Sequence, residues 1–357
     1  MISIISQNID AQTPVDSRSL HCACVADLCC GLGGLSLAAR QLGMRIVAGV
    51  DSNQTALKTF SRNFPEAKAI EGSVRSKIVL QYCAQALATS AKNAHAPFVI
   101  LSGPPCQGFS AAGPRNPKDR RNKLLVSVAH MIAELQPHCA IIENVSMVLA
   151  KKHGARLARF EKVLRDGDYF VQKILLNASE FGVPQKRKRA FFLITREKLD
   201  EQDILGRLAA GKSPMSSARE ALRGLPAPMI RPDNYDDEKN YGVIFNHFAM
   251  RHSQAVIRKI AAIAPGTGPM SYRRLHPTLP SNTLFSGHRA PPAHFNEPRS
   301  ITVREAARLQ GFPDDFRIYG SFANQMEQVT NAVPPPLTRA VLRVLAEITG
   351  IPIYSHD

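Results

Sequence analysis

The apolar positions in the first part of the chain alternate between short runs typical of strands and spacings typical of helices. Residues 22–28 form a short apolar run that ends in a glycine-rich turn. A helical pattern over residues 35–42 follows and ends at Gly43, and a second apolar run, residues 45–50, ends in Asp51. Strand, turn, helix and strand in this order predict the βαβ unit of a doubly wound parallel sheet.

The same alternation continues to about residue 196. Further strands are predicted at residues 98–102, 140–142, 170–176 and 190–194, and helices at residues 122–135 and 157–165. We therefore predict an α/β fold whose mostly parallel sheet is covered by helices on both faces.

Beyond residue 196 the pattern changes. Residues 211–298 are rich in Pro, Gly, Asn and His and show little periodicity, which predicts a small, loop-rich second domain. Apolar residues between positions 337 and 348 recur at helical spacing, and this last helix is expected to pack on the first domain. The predicted division is an N-terminal tail (1–20), a first domain (21–196 and 324–357) and a second domain with its hinge (197–323).

The charge of the chain points to a polyanionic partner. It carries 45 Lys and Arg against 29 Asp and Glu in 357 residues, a net charge of +16. Nucleic acid or an acidic membrane surface would suit this excess, although solubility alone would also explain it. No run approaches the roughly 18 apolar residues of a membrane helix, and residues 1–16 do not resemble a signal peptide. We therefore expect a cytoplasmic protein that does not enter a membrane.

Seven cysteines in a chain of this length favour a reducing compartment over a disulfide scaffold. Cys22, Cys24, Cys29 and Cys30 lie close together beside His21, which at first suggests zinc. However, the sequence has no Cys-x-x-Cys pair and no second cluster at zinc spacing. We expect no bound metal.

The glycine-rich turn is a candidate ligand site. In Gly31-Leu32-Gly33-Gly34 the missing side chains would let a nucleotide approach the backbone, but tight strand-to-helix turns also need glycine for structural reasons. Both explanations stay open at this point. Ser36 stands where a dinucleotide fingerprint has its third glycine. With Asp51 as an acceptor for ribose hydroxyls, the turn suits S-adenosylmethionine better than a nicotinamide cofactor.

A candidate nucleophile follows the predicted strand 98–102. Pro104 and Pro105 prevent a helix from starting and present Cys106 in a rigid turn at the carboxyl end of the strand. The alternative is a buried structural thiol. Glu143 ends the strand that begins at residue 140, and it would lie near Cys106 if the two strands are neighbours. Otherwise it would be a helix cap or a surface charge.

A basic segment precedes the predicted strand 190–194. In an extended chain alternate side chains share a face, so Gln185, Arg187 and Arg189 would point to one side and Lys186 and Lys188 to the other. The first face would point inward, and the second would point to solvent or phosphate. A charge run of this kind is otherwise an ordinary solvated surface.

Taken in order, these motifs resemble those of the DNA cytosine-5 methyltransferases. The resemblance rests on residues 27–34, Pro104-Pro105-Cys106-Gln107, Glu143-Asn144-Val145, Gln185-x-Arg187-x-Arg189 and two late segments, residues 304–313 and 328–334. It runs from about residue 24 to residue 345. It implies a Rossmann-like, S-adenosylmethionine-dependent methyltransferase fold in which residues 197–298 recognise the target sequence.

The resemblance also implies covalent chemistry at a cytosine flipped out of the duplex. Cys106 would add to C6 of the base, and Glu143, with a pKa raised by burial, would hold N3 and the exocyclic amine. Arg189 would hold O2 and the glutamate, supported by Arg187, while the loop of residues 107–123 closes over the DNA. The DNA contacts expected from this loop and from the recognition domain are Gln107, Ser110, Arg115, Arg120, Arg121, Arg273, Arg274, Thr283, His288 and Arg289.

For the methyl donor, the resemblance implies one site built from several turns. Its residues are Leu28, Cys29, Gly31, Gly33, Asp51, Ser52, Ser73, Val74, Pro105, Leu124 and Asn331. The chain departs from the family pattern at three positions: Cys29 replaces a usual Phe, and Ser73 and Phe98 stand where Asp is common. These departures bear on adenine recognition and leave the methyl-transfer chemistry intact.

These features predict a sequence-specific DNA cytosine-5 methyltransferase of the bacterial type, a monomer that acts on double-stranded DNA and releases S-adenosylhomocysteine. It would be the modification half of a restriction system with a separate cognate endonuclease, or a solitary counterpart. A transfer-RNA cytosine-5 methyltransferase is the alternative, disfavoured by the length of the recognition segment. A catalytically silent DNA-binding regulator is disfavoured by the intact Cys106, Glu143 and Arg189, and a nicotinamide oxidoreductase by Ser36.

Overall fold

The computed structural model describes residues 4–5, 22–90, 96–105, 123–239, 241–269, 272–285 and 291–354. The strands, in chain order, are β1 (Ile4–Ile5), β2 (Cys24–Leu28), β3 (Arg45–Asp51), β4 (Lys68–Glu71), β5 (Phe98–Ser102), β6 (Cys139–Val145), β7 (Phe170–Asn177), β8 (Gln185–Lys186), β9 (Lys188–Thr195), β10 (Met229–Ile230), β11 (Phe248–Ala249) and β12 (Ser281–Asn282). The helices are α1 (Gly34–Gln41), α2 (Gln54–Asn63), α3 (Lys77–Ser90), α4 (Leu124–Leu135), α5 (Gly154–Asp166), α6 (Glu201–Ala210), α7 (Ala218–Leu222), α8 (Gln254–Ala261), α9 (Val303–Leu309), α10 (Phe322–Asn331) and α11 (Pro335–Thr349).

Two compact units make up the chain. Unit 1 comprises Met1–Leu176, Lys188–Gly211 and Thr338–Asp357, and unit 2 comprises Asn177–Arg187 and Lys212–Leu337. The domain boundaries at residues 197 and 323 remain a sequence-based prediction. The chain enters unit 2 twice. The first entry is the short segment Asn177–Arg187, which carries Gln185 and Arg187.

Unit 1 is built on an eight-stranded sheet in the order β1-β4-β3-β2-β5-β6-β9-β7. The strands from β4 to β6 run parallel, whereas β1 pairs antiparallel with β4 and β9 pairs antiparallel with β6. The chain returns from β3 and β4 to the centre and continues outward from β5, which is the reversal that defines a doubly wound sheet. The predicted fold class is confirmed.

The central strands form the core because helices cover them on both faces. β2 is buried at every position and β5 at all but its first, as expected for parallel strands with no solvent-facing side. Their apolar side chains pack with those of α3, α4 and α5 in one continuous hydrophobic cluster. The strand ends are therefore held firmly, and the turns that follow them have defined positions.

Unit 2 contains little regular structure and is held by side chains that bind backbone carbonyls. Arg304 is completely buried and donates hydrogen bonds to the carbonyls of Phe245, Pro313 and Phe316. Burial lowers the pKa of Arg304 to about 10. These bonds tie α9 to two loop segments, one at Phe245 and one at residues 313–316, and α9 carries a capping box on Thr302.

Candidate active site

The candidate residues of unit 1 lie in one row at the carboxyl edge of the sheet. Val50, Leu28, Ser102 and Ile142 pair across four adjacent strands. The residues that follow them are Asp51, Cys29, Gly103 and Glu143. Since neighbouring strands are about 4.8 Å apart, Asp51 and Glu143 are separated by three spacings, roughly 14 Å. The point between β2 and β5, where the winding reverses, lies inside this row and is the expected ligand position in such sheets.

The glycines of the turn after β2 have two different functions. Gly31 has a φ of +55°, and a Cβ added to it would meet nothing within 4 Å. Gly33 has a φ of +101°, and its Cβ would lie 2.4 Å from Cε2 of Phe64. Gly33 is thus required by packing against an aromatic ring, whereas Gly31 leaves open space beside the backbone. The structural explanation holds at Gly33, and Gly31 has the open space that the ligand explanation requires.

Asp51 closes the turn. The backbone N–H groups of Gly31 and Asn53 each donate to one of its carboxylate oxygens, both at 2.8 Å. Burial raises the pKa of Asp51, and these backbone donors act in the opposite direction. The carbonyl of Asp51 accepts from the N–H of Gly72, which brings the turn after β4 to the same edge.

The other predicted donor residues of unit 1 surround these turns with different exposure. Leu28 and Val74 are buried, Leu124 is partly buried, and Ser52, Ser73 and Pro105 are exposed. Apolar buried side chains and exposed polar ones at one edge suit a ligand with an apolar ring and polar hydroxyls.

Cys29 adopts a left-handed conformation with a φ of 63° directly after β2. Burial raises the pKa of its thiol, and the nearby carboxylates of Asp51 and Asp27 raise it further, against an opposing hydrogen bond from Ser102. Cys30 behaves in the same way. These shifts favour the neutral form of both thiols.

A buried carboxyl group lies beneath the turn. Asp27 is completely buried, and the hydroxyl of Ser36 donates to its Oδ2 at 2.7 Å. Burial raises the pKa of Asp27 to about 7. Sequence reasoning assigned no function to this pair, although an Asp inside the apolar strand β2 is itself a signal. The hydrogen bond also explains why a serine stands at the position of the third glycine.

The centre of the candidate active site is an ion pair. Nε of Arg189 lies 2.6 Å from Oε1 of Glu143, and both side chains are about nine-tenths buried. The pairing of β6 with β9 sets this contact, since Val145 is the register partner of Arg189. β6 and β9 run in opposite directions, so Arg189, near the start of β9, faces Glu143, near the end of β6.

Asn144 links this ion pair to the turn after β5, a function that sequence reasoning missed. Its Nδ2 donates to the carbonyl of Pro104 at 3.1 Å, and the Asn144 side chain is 2% exposed. The turn that leads to Cys106 is thereby tied to the strand that carries Glu143. Cys106 itself lies outside the described residues, as do the predicted DNA contacts Gln107, Ser110, Arg115, Arg120, Arg121, His288 and Arg289.

The basic segment alternates in burial as the sequence suggested. Gln185, Arg187 and Arg189 are buried, whereas Lys186 and Lys188 are exposed. Within unit 2, Nη2 of Arg187 donates to the carbonyl of Ala332 at 3.0 Å.

Gln310 completes this arrangement, since Gln185 donates to its Oε1 at 2.5 Å and Gln310 itself donates to the carbonyl of Ala332 at 2.6 Å. Asn331, the predicted methionine contact, immediately precedes this anchored carbonyl and is exposed.

The predicted base contacts of unit 2 differ in accessibility. Arg274 is buried, and its guanidinium donates to the carbonyls of His294, Ile263 and Asn296. These three bonds give Arg274 a structural function. Arg273 is exposed, and the hydroxyl of Thr283 donates to the carbonyl of Lys186 at 2.7 Å.

The comparison with known protein families gives one match over most of the chain. The profile of the C-5 cytosine-specific DNA methylases matches residues 24–347. The chain belongs to this family. Its order of motifs, from the turn after β2 to the segment before α11, is therefore the order of a cytosine-5 methylase, and its class of activity is that of a DNA (cytosine-5)-methyltransferase.

Individual relatives agree with this assignment. This methylase is 31% identical to the type II methyltransferase M.AplI of Arthrospira platensis over 89% of this chain and 84% of the relative. It is 30% identical to M.XorII of Xanthomonas oryzae pv. oryzae over 88% and 82%. Among solved structures, a protein described as a DNA modification methyltransferase encoded within an E. coli prophage superposes with a TM-score of 0.74 and 26% identity, over 92% of this chain and 99% of the other.

Two further observations concern binding partners of the methylase. Within the part of the chain that the structure describes, no cluster of three or more His, Cys, Asp or Glu side chains could hold a metal ion. No helix in those same ranges is long and apolar enough to cross a membrane.

Proposed function

We propose that this methylase transfers a methyl group from S-adenosylmethionine to C5 of a cytosine in a specific sequence of duplex DNA. Its relatives are named type II methyltransferases. We expect the two units of the chain to have different functions in this reaction. Unit 1 would carry the donor and the reacting base, and Arg273 and Thr283 of unit 2 would contact the DNA. S-adenosylhomocysteine would be the product of the donor.

The edge of unit 1 fits the donor. The open side of Gly31 gives a ligand access to the backbone, Asp51 has carboxylate lone pairs beyond its two backbone bonds, and Val74 offers an apolar wall. When bound there, S-adenosylmethionine supplies a methyl group activated by a sulfonium charge. Leu28, Cys29, Gly31, Gly33, Asp51, Ser52, Ser73, Val74, Pro105, Leu124 and Asn331 are the residues that we propose for this site.

The chain's own residues would prepare the cytosine. The ring is too electron-poor at C5 to take a methyl group directly, so the thiolate of Cys106 adds to C6 and the ring becomes an enamine. Charge then develops towards N3, where a proton shared between N3 and the carboxylate of Glu143 would stabilise it, while Arg189 and Arg187 would provide positive charge near O2. After transfer, a water molecule would take the C5 proton and the thiolate would depart from C6, which restores the aromatic ring and the enzyme.

The observation that carries this proposal is the buried ion pair of Glu143 and Arg189. Burying two charges costs several kcal/mol per ion before their attraction is counted, so such a pair is a poor device for stability alone. It lies in the row that also contains Asp51, next to the turn that Asn144 fastens ahead of Cys106. A carboxyl and a guanidinium fixed together match the N3 and O2 edge of a cytosine.

The base must leave the helix to reach these groups, because none of its reacting atoms is accessible in a stacked duplex. We propose that the segment 107–123, with Gln107, Ser110, Arg115, Arg120 and Arg121, contacts the DNA around the flipped base. His288 and Arg289 belong to the same proposal for the recognition part. A separate cognate endonuclease, a monomeric state and a cytosolic location remain part of it.

Methyl transfer to duplex DNA tests the function directly. The purified chain is incubated with donor carrying a labelled methyl group and a pool of duplexes of varied sequence, with transfer RNA as the parallel substrate. Label is expected in duplex DNA, at C5 of cytosine, and bisulfite sequencing of DNA from an expressing host gives the recognised sequence. Label in transfer RNA alone, or in neither substrate, would refute the proposal, and Glu143→Gln is the matched inactive control.

A further inference from the structure

A cluster of basic side chains follows β6 and belongs to none of the sites described above. Lys151 and Lys152 lie in the short 3-10 turn Lys151–His153, and Arg156 and Arg159 lie in the first half of α5. We call these four residues the α5 basic patch. Lys151, Lys152 and Arg159 are exposed, and Arg156 is half-buried.

The patch presents one coherent face. Arg156 and Arg159 are three residues apart in α5, which places them on one side of the helix, and Lys151 and Lys152 lie just before its first residue. The buried side chains Leu157 and Phe160 lie on a different face of α5. From Gly154 to Arg159 the helix rises roughly 7.5 Å, and the two lysines extend the basic surface beyond its start, which is enough to contact more than one phosphate of a DNA strand.

The three exposed charges of the patch, Lys151, Lys152 and Arg159, have no acidic neighbour in the sequence. Within the described ranges, Lys151, Lys152 and Arg159 make no ion pair, and no acidic residue stands between Glu143 and Glu161. In contrast, the second half of the helix pairs its charges: Lys162 lies 2.6 Å from Asp166, and Glu161 lies 2.8 Å from Lys173.

The potential around the patch is also visible at His153, because partial burial lowers the pKa of this histidine and the charges of Lys152 and Arg156 lower it further.

The patch is close to the candidate active site in the same unit. The 3-10 turn Ser146–Leu149, which connects β6 to the patch, contacts β9 beside the Glu143–Arg189 pair. A duplex that delivers a cytosine to Glu143 would therefore have backbone phosphates within reach of this surface.

We propose that the α5 basic patch binds the phosphate backbone of duplex DNA during methyl transfer, as a contact of unit 1 that is separate from the loop 107–123 and from unit 2. The inference rests on the proposed function, since it takes DNA as the substrate. Phosphate contacts carry no sequence information, so the patch should strengthen binding equally for DNA with and without the recognised sequence.

The test compares two triple variants of the full chain. K151Q/K152Q/R159Q removes the exposed charges of the patch, and K162Q/K173Q/R207Q removes three exposed charges of unit 1 that are paired with carboxylates. Binding to a duplex is measured between about 50 and 200 mM salt. Each lost phosphate contact lowers the slope of log K against log salt by about 0.9, so the patch variant should lose about 2.7 and the control close to none.

A patch variant with the wild-type slope, or one in which only binding to transfer RNA or to anionic lipid vesicles falls, would overturn the proposal. A loss confined to the recognised sequence would also overturn it. Thermal melting by circular dichroism shows whether the variants are folded, and the single variant K152Q, with an expected loss of about 0.9 in slope, repeats the test with minimal change. Methyl transfer by the wild type is read separately, so failure of the proposed function is distinguishable.

Discussion

Alanine at Gly31 and at Gly33 should have different consequences, because only Gly31 faces open space. In Gly33→Ala the new Cβ would lie 2.4 Å from Cε2 of Phe64 and 3.2 Å from Cδ2 of Phe60. Overpacking of this kind costs about 1–3 kcal/mol, and the left-handed backbone adds about 1–2 kcal/mol for any L-residue. The free energy of unfolding should therefore fall by about 2–5 kcal/mol.

In Gly31→Ala only the backbone term applies. Its φ of +55° is left-handed and its Cβ meets nothing within 4 Å, so we expect a loss of about 1–2 kcal/mol. The added methyl group, however, occupies the open side that the donor is proposed to use. Donor affinity should fall at least tenfold, which corresponds to about 1.4 kcal/mol.

The two effects are measured separately. Urea unfolding followed by circular dichroism gives stability, and calorimetric titration with S-adenosylhomocysteine gives affinity for the donor site. If Gly33→Ala unfolds at the same urea concentration as Gly31→Ala, the packing argument is refuted. If Gly31→Ala binds the titrant like the wild type, the open side of the turn is not where the donor lies.

Substitutions at three further positions test other parts of the site. Glu143→Gln keeps the shape of the side chain but removes the charge paired with Arg189. The rate of methyl transfer should fall by a factor of about 10²–10⁴, while affinity for the donor is kept. A variant with more than a tenth of wild-type activity would contradict the assigned function. Asn144→Ala leaves the buried carbonyl of Pro104 without its donor, which should lower the free energy of unfolding by about 1–3 kcal/mol. The change in kcat should be larger than the change in KM for DNA. Asn144→Asp, which also lacks the N–H donor, should show the same pattern. Burial raises the pKa of Asp27 to about 7, against about 3.9 in the unfolded chain, so the protonated form stabilises the fold. This contribution to stability is complete below pH 4 and is lost as the pH rises through 7. Asp27→Asn should remove this loss, so the stability of the variant relative to the wild type should rise by up to about 4 kcal/mol between pH 4 and 7 and then level off. If urea unfolding gives the same stability difference between variant and wild type at every pH in this range, the assignment is refuted.

The sequence predicted the edge of the sheet well, because the apolar runs of β2, β5 and β6 end sharply in turn residues or charges. Asp51 was placed correctly at the end of β3, and Glu143 directly follows the apolar part of β6, although that strand continues to Val145. In contrast, α2, α3 and β4 were not predicted. α2 is mainly polar, with only Ala56, Leu57, Thr59 and Phe60 buried, and β4 is too short, at four residues with two buried positions, to give a periodic signal.

Hydrogen-bond partners were harder to predict than positions. The bond from Asn144 to Pro104 depends on the register between β5 and β6, which are separated by a helix. The carbonyl bonds that bury Arg274 arise from loops that have no periodic pattern. The pair of Asp27 and Ser36, only nine residues apart, could have been suspected because an acid inside an apolar strand needs a partner.

Trapping of the covalent intermediate tests the central claim most directly. A duplex that contains the recognised sequence with 5-fluorocytosine at the target is incubated with the methylase and donor, then separated under denaturing conditions. Because fluorine at C5 cannot leave as a proton does, the bond between Cys106 and C6 should persist. We expect a stable protein–DNA adduct with the wild type and none with Cys106→Ala. An adduct with Cys106→Ala, or none with a wild type that methylates ordinary cytosine, would contradict the account.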